Sequence, residues 1–318
     1  MPDLTAVKTA LRAHRIELPS WAFGNTGTRF KVFAQPGVPR TPQEKIEDAA
    51  QVHAFTGVAP TVAVHIPWDK VDDYAALAAF AKEHGVAIGT VNANVFQDDD
   101  YRLGSVCNPD PRVRRKAVNH LLECVDIMDA TGSKDLKLWF ADGTNYPGQD
   151  DIAARQDRLA EALGTVYRRL GPSQRMLLEY KLFEPSFYTT DVPDWGTALL
   201  HCVALGPAAG VAFMLDQCHN IEPKIPAQIR SVMNVQEATA KALLIDRDAL
   251  AGAQQAGDVL GANAVLMDAY NTDVRPLLAE LRVEMGLDPD PVGAYLRSGY
   301  PQKIVADRVG GTQASWGS

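Results

Sequence analysis

Short apolar runs alternate with longer amphipathic stretches as far as Asp216. The clearest run is Met176-Leu177-Leu178, which passes abruptly into the charged Glu179-Tyr180-Lys181. A strand buried in a parallel sheet reads as continuous apolar sequence and shows charge where it leaves the sheet. The pattern predicts six strands: Pro19–Phe23, Thr61–Pro67, Val86–Val95, Asp135–Phe140, Arg175–Leu182 and Val211–Leu215. Helices are predicted between them over Thr41–Phe55, Val71–His84, Pro111–Ala130, Asp151–Leu170 and Asp194–Leu205. Thr41 before Pro42 and Asp110 before Pro111 are N-cap signals, while Gly85 and Gly132 close their helices.

Regular alternation of strand and helix implies a parallel sheet covered by helices. No Rossmann glycine fingerprint follows the first strand, and Gly24-x-x-Gly27 is too weak a phosphate signal. A (β/α) TIM-type barrel is therefore expected rather than a doubly wound sheet. A closed barrel of this type needs eight strands. Six are found and two are missing, so the expected α/β fold is an incomplete barrel. Beyond Gln217 the pattern becomes almost wholly helical, over Pro226–Leu260 and Asn263–Met285. The expected organisation is a barrel domain with an N-terminal helix over residues 1–222 and a C-terminal helical extension over 223–318. That extension either packs across the barrel or forms an exchanged arm in an oligomer, and Gly310–Ser318 reads as a flexible tail.

Composition narrows the functional classes. The 318 residues are 46% hydrophobic and 22% charged, ordinary for a globular protein with a sizeable core. A net charge of −8 leaves no basic surplus to neutralise phosphates, which argues against non-specific nucleic-acid binding. No apolar stretch reaches transmembrane length, and Met1–Leu18 reads as an amphipathic helix rather than a signal peptide. Cys107, Cys124, Cys202 and Cys218 form no CxxC or zinc-type spacing, which fits free thiols in a cytoplasmic enzyme.

Polar and aromatic residues recur just after the strands: Trp21, His65, Asn92 and Asn94, Trp139 and Asp142, Glu179 and Lys181, then Asp216 and His219. In a barrel all of these face one mouth. Each alone has a plainer explanation: a satisfied strand histidine, a core or rim aromatic, a helix cap, an exposed ion pair. Their repetition at equivalent positions is what points to a site. Glu179 and Asp216, from different strand ends, could share a hard divalent cation such as Mg²⁺ or Mn²⁺. Aromatic walls with His and Lys suit a small polyol, whose C–H faces stack on indole while its hydroxyls hydrogen-bond at the edges.

Several longer stretches carry a resemblance. They are Pro19-Ser20-Trp21 with Gly27-Thr28-Arg29-Phe30, His65-Ile66-Pro67-Trp68-Asp69, and Asp142 through Gln149. Glu179 through Pro185, Asp194-Trp195-Gly196-Thr197 and Asp216-Gln217-Cys218-His219-Asn220 continue the series, which runs in order from about Pro19 to Tyr300. In these the chain resembles bacterial L-rhamnose isomerase of the broad-specificity Pseudomonas type, within the xylose-isomerase-like barrels. The resemblance implies an aldose–ketose isomerase converting L-rhamnose to L-rhamnulose. It implies divalent ions, Mn²⁺ or another such as Mg²⁺ or Co²⁺, that bind the sugar's adjacent oxygens and polarise its carbonyl. Residue by residue, Glu179 and Asp216 match metal ligands, and Lys181 matches the lysine at the reacting end of the substrate. His65 matches the histidine that handles the ring form and its hydroxyls. Trp21, Phe96 and Trp139 match the walls of the pocket. The implied partners are a small aldose or ketose and further copies of the chain, as a homotetramer.

One departure stands against the family pattern. After Leu205-Gly206-Pro207 the family continues into a strand carrying an Asp and a His-His pair, then a strand carrying a His, then an Asp-rich run. This chain passes almost directly to the strand before Asp216. The missing piece would supply the sixth and seventh barrel strands and most metal ligands, so severely reduced isomerase activity is expected. The alternative is a non-catalytic sugar-binding or assembly subunit of an isomerase oligomer. A phosphate-binding barrel enzyme such as an aldolase lacks its glycine-rich loop here.

Overall fold

The computed structural model describes residues 4–28, 31–181, 188–212 and 223–309. Its centre is a six-stranded sheet made of β1 Glu17–Pro19, β2 Thr61–Ile66, β3 Ala87–Ala93, β4 Asp135–Trp139, β5 Arg175–Glu179 and β6 Ala209–Ala212. The strands lie side by side in chain order and every pairing is parallel. A doubly wound sheet reverses its strand order at a switch point. No reversal occurs here, so right-handed crossovers place the connecting helices on one side and leave the other side as an interior. This is the (β/α) barrel arrangement in incomplete form. Among the described residues β1 and β6 each pair on one side only.

The connecting helices are α2 Pro42–Thr56, α3 Tyr74–Glu83, α4 Pro111–Thr131, α5 Ile152–Tyr167 and α6 Trp195–Leu205. Their ends follow the cap signals. The Thr41 hydroxyl accepts the Glu44 N–H, the Asp110 carboxylate accepts the Arg112 N–H, and Gly132 ends α4 in the left-handed region. Strand residues alternate between two faces. Val62, Val64 and Ile66 of β2 and Leu136 and Leu138 of β4 are buried in the core under the helices. Ala63 and His65, and Lys137 and Trp139, take the interior face.

Two strand limits differ from the sequence pattern. The first strand ends at Pro19, which has no N–H to extend a ladder, and Ser20–Phe23 curl into a 3₁₀ turn with all four residues buried. The sixth begins earlier, at Ala209, paired with Met176. Its Ala-Gly-Val-Ala sequence is too small to stand out as an apolar run. Phe213–Leu215, expected to continue it, lie outside the described residues, as do Asp216 and the tail Gly310–Ser318.

The helical extension comprises α7 Lys224–Leu243, α8 Arg247–Gln255, α9 Val259–Asn271, α10 Arg275–Glu284, α11 Pro291–Arg297 and α12 Tyr300–Asp307. Helix α7 packs on α1 (Leu4–Ala13), α2 and the turn after β1, and its Ile225, Ile229 and Val232 join the core of the sheet. Between α7 and the interior face of the sheet lies a cavity of about 640 Å³, bordered by Glu17, Trp21, Thr90, Asn92, Lys137 and Ser231. Glu17 takes a hydrogen bond from the Thr90 hydroxyl there, and burial raises its carboxyl above the usual range. A Cβ at Gly89 would fall 1.9 Å from a Glu17 oxygen, so a larger residue there would displace this carboxyl. No described helix is long and apolar enough to cross a membrane.

The last described turn is pinned by Arg308. Its Nη1 lies 2.8 Å from both oxygens of Asp48 on α2, and both side chains are buried. Removing one partner of such a pair leaves an uncompensated buried charge. Arg308→Ala is expected to cost about 3–5 kcal/mol of stability by urea unfolding. A loss below about 1 kcal/mol, the scale of an exposed pair, would show that Asp48 finds other donors.

Candidate functional site

The carboxyl ends of the first five strands converge on an aromatic cluster. Trp21 is placed by the 3₁₀ turn after β1, His65 by the end of β2, Phe96 by the loop after β3 and Trp139 by the end of β4. The His65 ring stacks on Trp68, with centroids 3.8 Å apart and planes 19° from parallel. Trp21 meets His65 edge-on at 5.3 Å, and Phe96 meets it edge-on at 5.8 Å. Phe96 in turn contacts Trp139 edge-on at 4.8 Å. The Lys181 ammonium stands 4.3 Å from the centre of the Trp139 ring, a cation–π distance. Five expected residues, Trp21, His65, Phe96, Trp139 and Lys181, thus form one connected chain of contacts.

What holds this cluster is polar and buried. The Asp69 carboxylate accepts from the Ser20 hydroxyl, from the His65 backbone N–H at 2.8 Å and from the Lys45 ammonium at 2.7 Å. Ser20 precedes Trp21, so one carboxylate fixes the bases of two aromatic walls. Trp68 donates its indole N–H to Gln97 at 2.8 Å, and Asn94 donates to the same oxygen at 2.6 Å. Burial foremost, then Lys45, Lys137 and His120, push the His65 imidazole well below its ordinary value. The ring is therefore neutral at pH 7, and its Nδ1 has no hydrogen-bond partner among the described residues.

Glu179 and Lys181 do not both lie in the strand, as Arg175–Leu182 was expected to hold them. Strand β5 ends at Glu179, and beyond it the Lys181 N–H turns to the Val192 carbonyl at 2.7 Å. The Glu179 carboxylate instead pairs with Lys137 at 2.7 Å, with both side chains largely buried. The second expected metal ligand, Asp216, lies outside the described residues, together with His219 and Glu222. Among the described residues no group of three ligand-type side chains includes Glu179. The described residues therefore do not fit a resident two-metal centre.

One other cluster has the composition of a metal site: Cys107, Asp142 and Asp191, all buried. Its acids already have donors. Asp142 accepts from Ser105 N, Ser105 Oγ and Cys107 N at 2.7, 2.6 and 2.9 Å. Asp191 is held by the Arg155 guanidinium, with Nη2 at 2.7 Å and Nε at 3.1 Å. Burial foremost, then the adjacent carboxylates, push the Cys107 thiol well up. This arrangement clamps the loop after β4 to its neighbours.

Three supporting residues were not singled out from the sequence. Trp68 and Asp69 sat inside the quoted His65–Asp69 stretch without a role, and Lys137 was passed over. The alternation Lys137-Leu138-Trp139 was a usable signal, since spacing two puts Lys137 on the same face as Trp139.

An incomplete (β/α) barrel with an aromatic, polar mouth is the frame of a protein that handles small polar substrates. No family model matches the chain. It is 35% identical to a probable sugar isomerase of Rhizobium meliloti, over 96% of this chain and 89% of that protein. It is 33% identical to a probable sugar isomerase of Mesorhizobium japonicum, over 99% of this chain and 90% of that protein. The chain belongs to this family of sugar isomerases. The first alignment runs over 382 positions against the 318 residues present here, so at least 64 positions of that relative have no counterpart in this chain. A solved D-allulose 3-epimerase from Methylomonas sp. matches with a TM-score of 0.45 and 14% identity, over 62% of this chain and 60% of that one.

The neutral His65 gives a pH dependence. The folded protein keeps this ring unprotonated, whereas the unfolded chain takes up a proton near pH 6.5. Protons then favour unfolding, so the His65 contribution is full above about pH 6.5 and is lost as the pH falls below it. His65→Gln is expected to flatten the stability profile on the acid side of about pH 6.5, measured by urea unfolding at stepped pH. An unchanged profile would assign the acid sensitivity to other groups.

Proposed function

We propose that this chain is a sugar-binding protein of the L-rhamnose isomerase type, in which conversion of L-rhamnose to L-rhamnulose is severely reduced. The carrying observation is the connected wall of Trp21, His65, Phe96 and Trp139 with Lys181 against Trp139. Indole and phenyl faces pack on the C–H face of a six-carbon polyol. The Lys181 ammonium is assigned to donate to the sugar oxygen at the reacting end. His65, kept neutral by its burial, is assigned to accept a hydrogen bond from a sugar hydroxyl and so to orient the ring form. Membership of the sugar isomerase family supports the ligand class.

Manganese, or another divalent ion in its place, is the cofactor implied by the family type, with Glu179 and Asp216 as its proposed remaining ligands. An ion there would supply Lewis-acid polarisation of the sugar carbonyl. The pairing of Glu179 with Lys137 and the absent positions both count against a complete centre, so no step is assigned to it. This is why binding and turnover are expected to separate.

The purified chain is to be titrated with L-rhamnose while tryptophan fluorescence is followed, and then assayed for L-rhamnulose with saturating Mn²⁺. Saturable binding is expected, together with severely reduced ketose formation. Trp139→Ala is expected to weaken binding about tenfold, the equivalent of losing about 1.4 kcal/mol of contact. Brisk Mn²⁺-dependent turnover would overturn the reduced-activity reading, and the lack of any saturable response would overturn the sugar site.

A further inference from the structure

Helix α6 presents an apolar face that nothing in the described chain covers. Trp195, Leu199, Leu200 and Val203 are 64%, 42%, 74% and 72% exposed. Their angular positions on a 3.6-residue helix form one continuous arc. The opposite face is occupied: Ala198 and Cys202 are buried, and α6 packs on α5, β5 and β6. Beside this helix runs β6, which pairs only with β5 among the described residues. Proteins usually blunt such an edge with Lys, Pro or a bulge. Strand β6 is Ala209-Gly210-Val211-Ala212 and has none of these.

The bare helix and the bare edge lie where a barrel would continue into its next β/α unit. The chain's own extension is engaged elsewhere, with α7 against α1 and α2 and α11 against α2. We propose that this surface is an interface with a second copy of the same chain, formed by α6 and the free edge of β6 about a two-fold axis. The face is self-complementary in charge. Between Trp195 and Leu205 there is no Asp, Glu, Lys or Arg, so bringing two α6 helices together opposes no like charges. An isologous contact needs that property, because each residue meets the same surface on its partner. Edge strands related by a two-fold axis pair antiparallel, which satisfies on both copies the β6 backbone groups that no described strand pairs. An exposed apolar surface continuous with an unpaired edge is the kind that associates.

The test is the mass of the full 318-residue chain by sedimentation equilibrium at several concentrations. The wild-type chain is expected to be oligomeric, and Leu200→Glu with Val203→Glu is expected to halve the mass while circular dichroism stays native. Val259→Glu with Leu260→Glu, on the exposed face of α9, is the control and is expected to leave the mass unchanged. Should the α6 glutamates disturb folding, Leu200→Ser with Val203→Ser reads the same surface without new charge. A wild-type chain of single-chain mass at every concentration would overturn the proposal. So would an oligomer that survives both α6 substitutions and dissociates only with those on α9.

Discussion

A buried carboxylate has to be matched by donors on every side, because an uncompensated charge in the interior costs several kcal/mol. Asp69 is fully buried and meets that demand with three groups from three elements: Ser20 after β1, the His65 backbone in β2 and Lys45 on α2. The consequence is positional. Trp21 is anchored through its neighbour Ser20, His65 through its own N–H, and Trp68 through its place beside Asp69 in the chain. A hydrophobic contact at this point would tolerate sliding, whereas a carboxylate with three directed partners does not. The aromatic wall inherits its geometry from that constraint.

The same wall explains how a shortened barrel can keep a defined site. All of its members come from β1 through β5 and the loops after them, and those strands pair in one parallel series with a register shift between Val62 and Val64 against β3. Beneath the wall, Glu17, Asn92 and Lys137 stand among apolar neighbours around the cavity that α7 roofs. A closed barrel packs its centre with layers of side chains from every strand. With six strands in this sheet among the described residues, those layers are incomplete and a cavity stands in their place.

Much of this was legible in the sequence. The runs at Thr61–Pro67, Val86–Val95 and Arg175–Leu182 announced strands that form over Thr61–Ile66, Ala87–Ala93 and Arg175–Glu179, and Thr41, Asp110 and Gly132 marked helix ends, because these signals act locally. Trp21, His65 and Trp139 were legible as residues recurring after successive strands, whereas Phe96 entered only through the family resemblance. What was not legible depended on where a strand stops. Glu179 and Lys181 read as neighbours on one face only if β5 runs on, and it ends at Glu179. The Lys137–Glu179 pair was equally hidden, since it joins adjacent strands whose register no single segment encodes. The exposure of α6 was out of reach too. Trp195, Leu199 and Val203 look like an ordinary core-facing stripe until the structure shows which units are there to receive it.

Sugar binding and sugar isomerisation make different demands on such a chain. Stacking walls and a lysine need only the first half of the barrel, which this chain retains. By resemblance, the groups that polarise the carbonyl come mostly from the strands it lacks. Glu179 marks the boundary between the two. In a metal centre its charge would be balanced by a divalent ion, and here an ammonium from the neighbouring strand does so. That substitution keeps the carboxylate satisfied and the sheet intact without any ion, because a salt bridge within the sheet requires no ligands from elsewhere. The geometry of the aromatic wall thus rests on Asp69 and the paired strands, and not on an ion at Glu179.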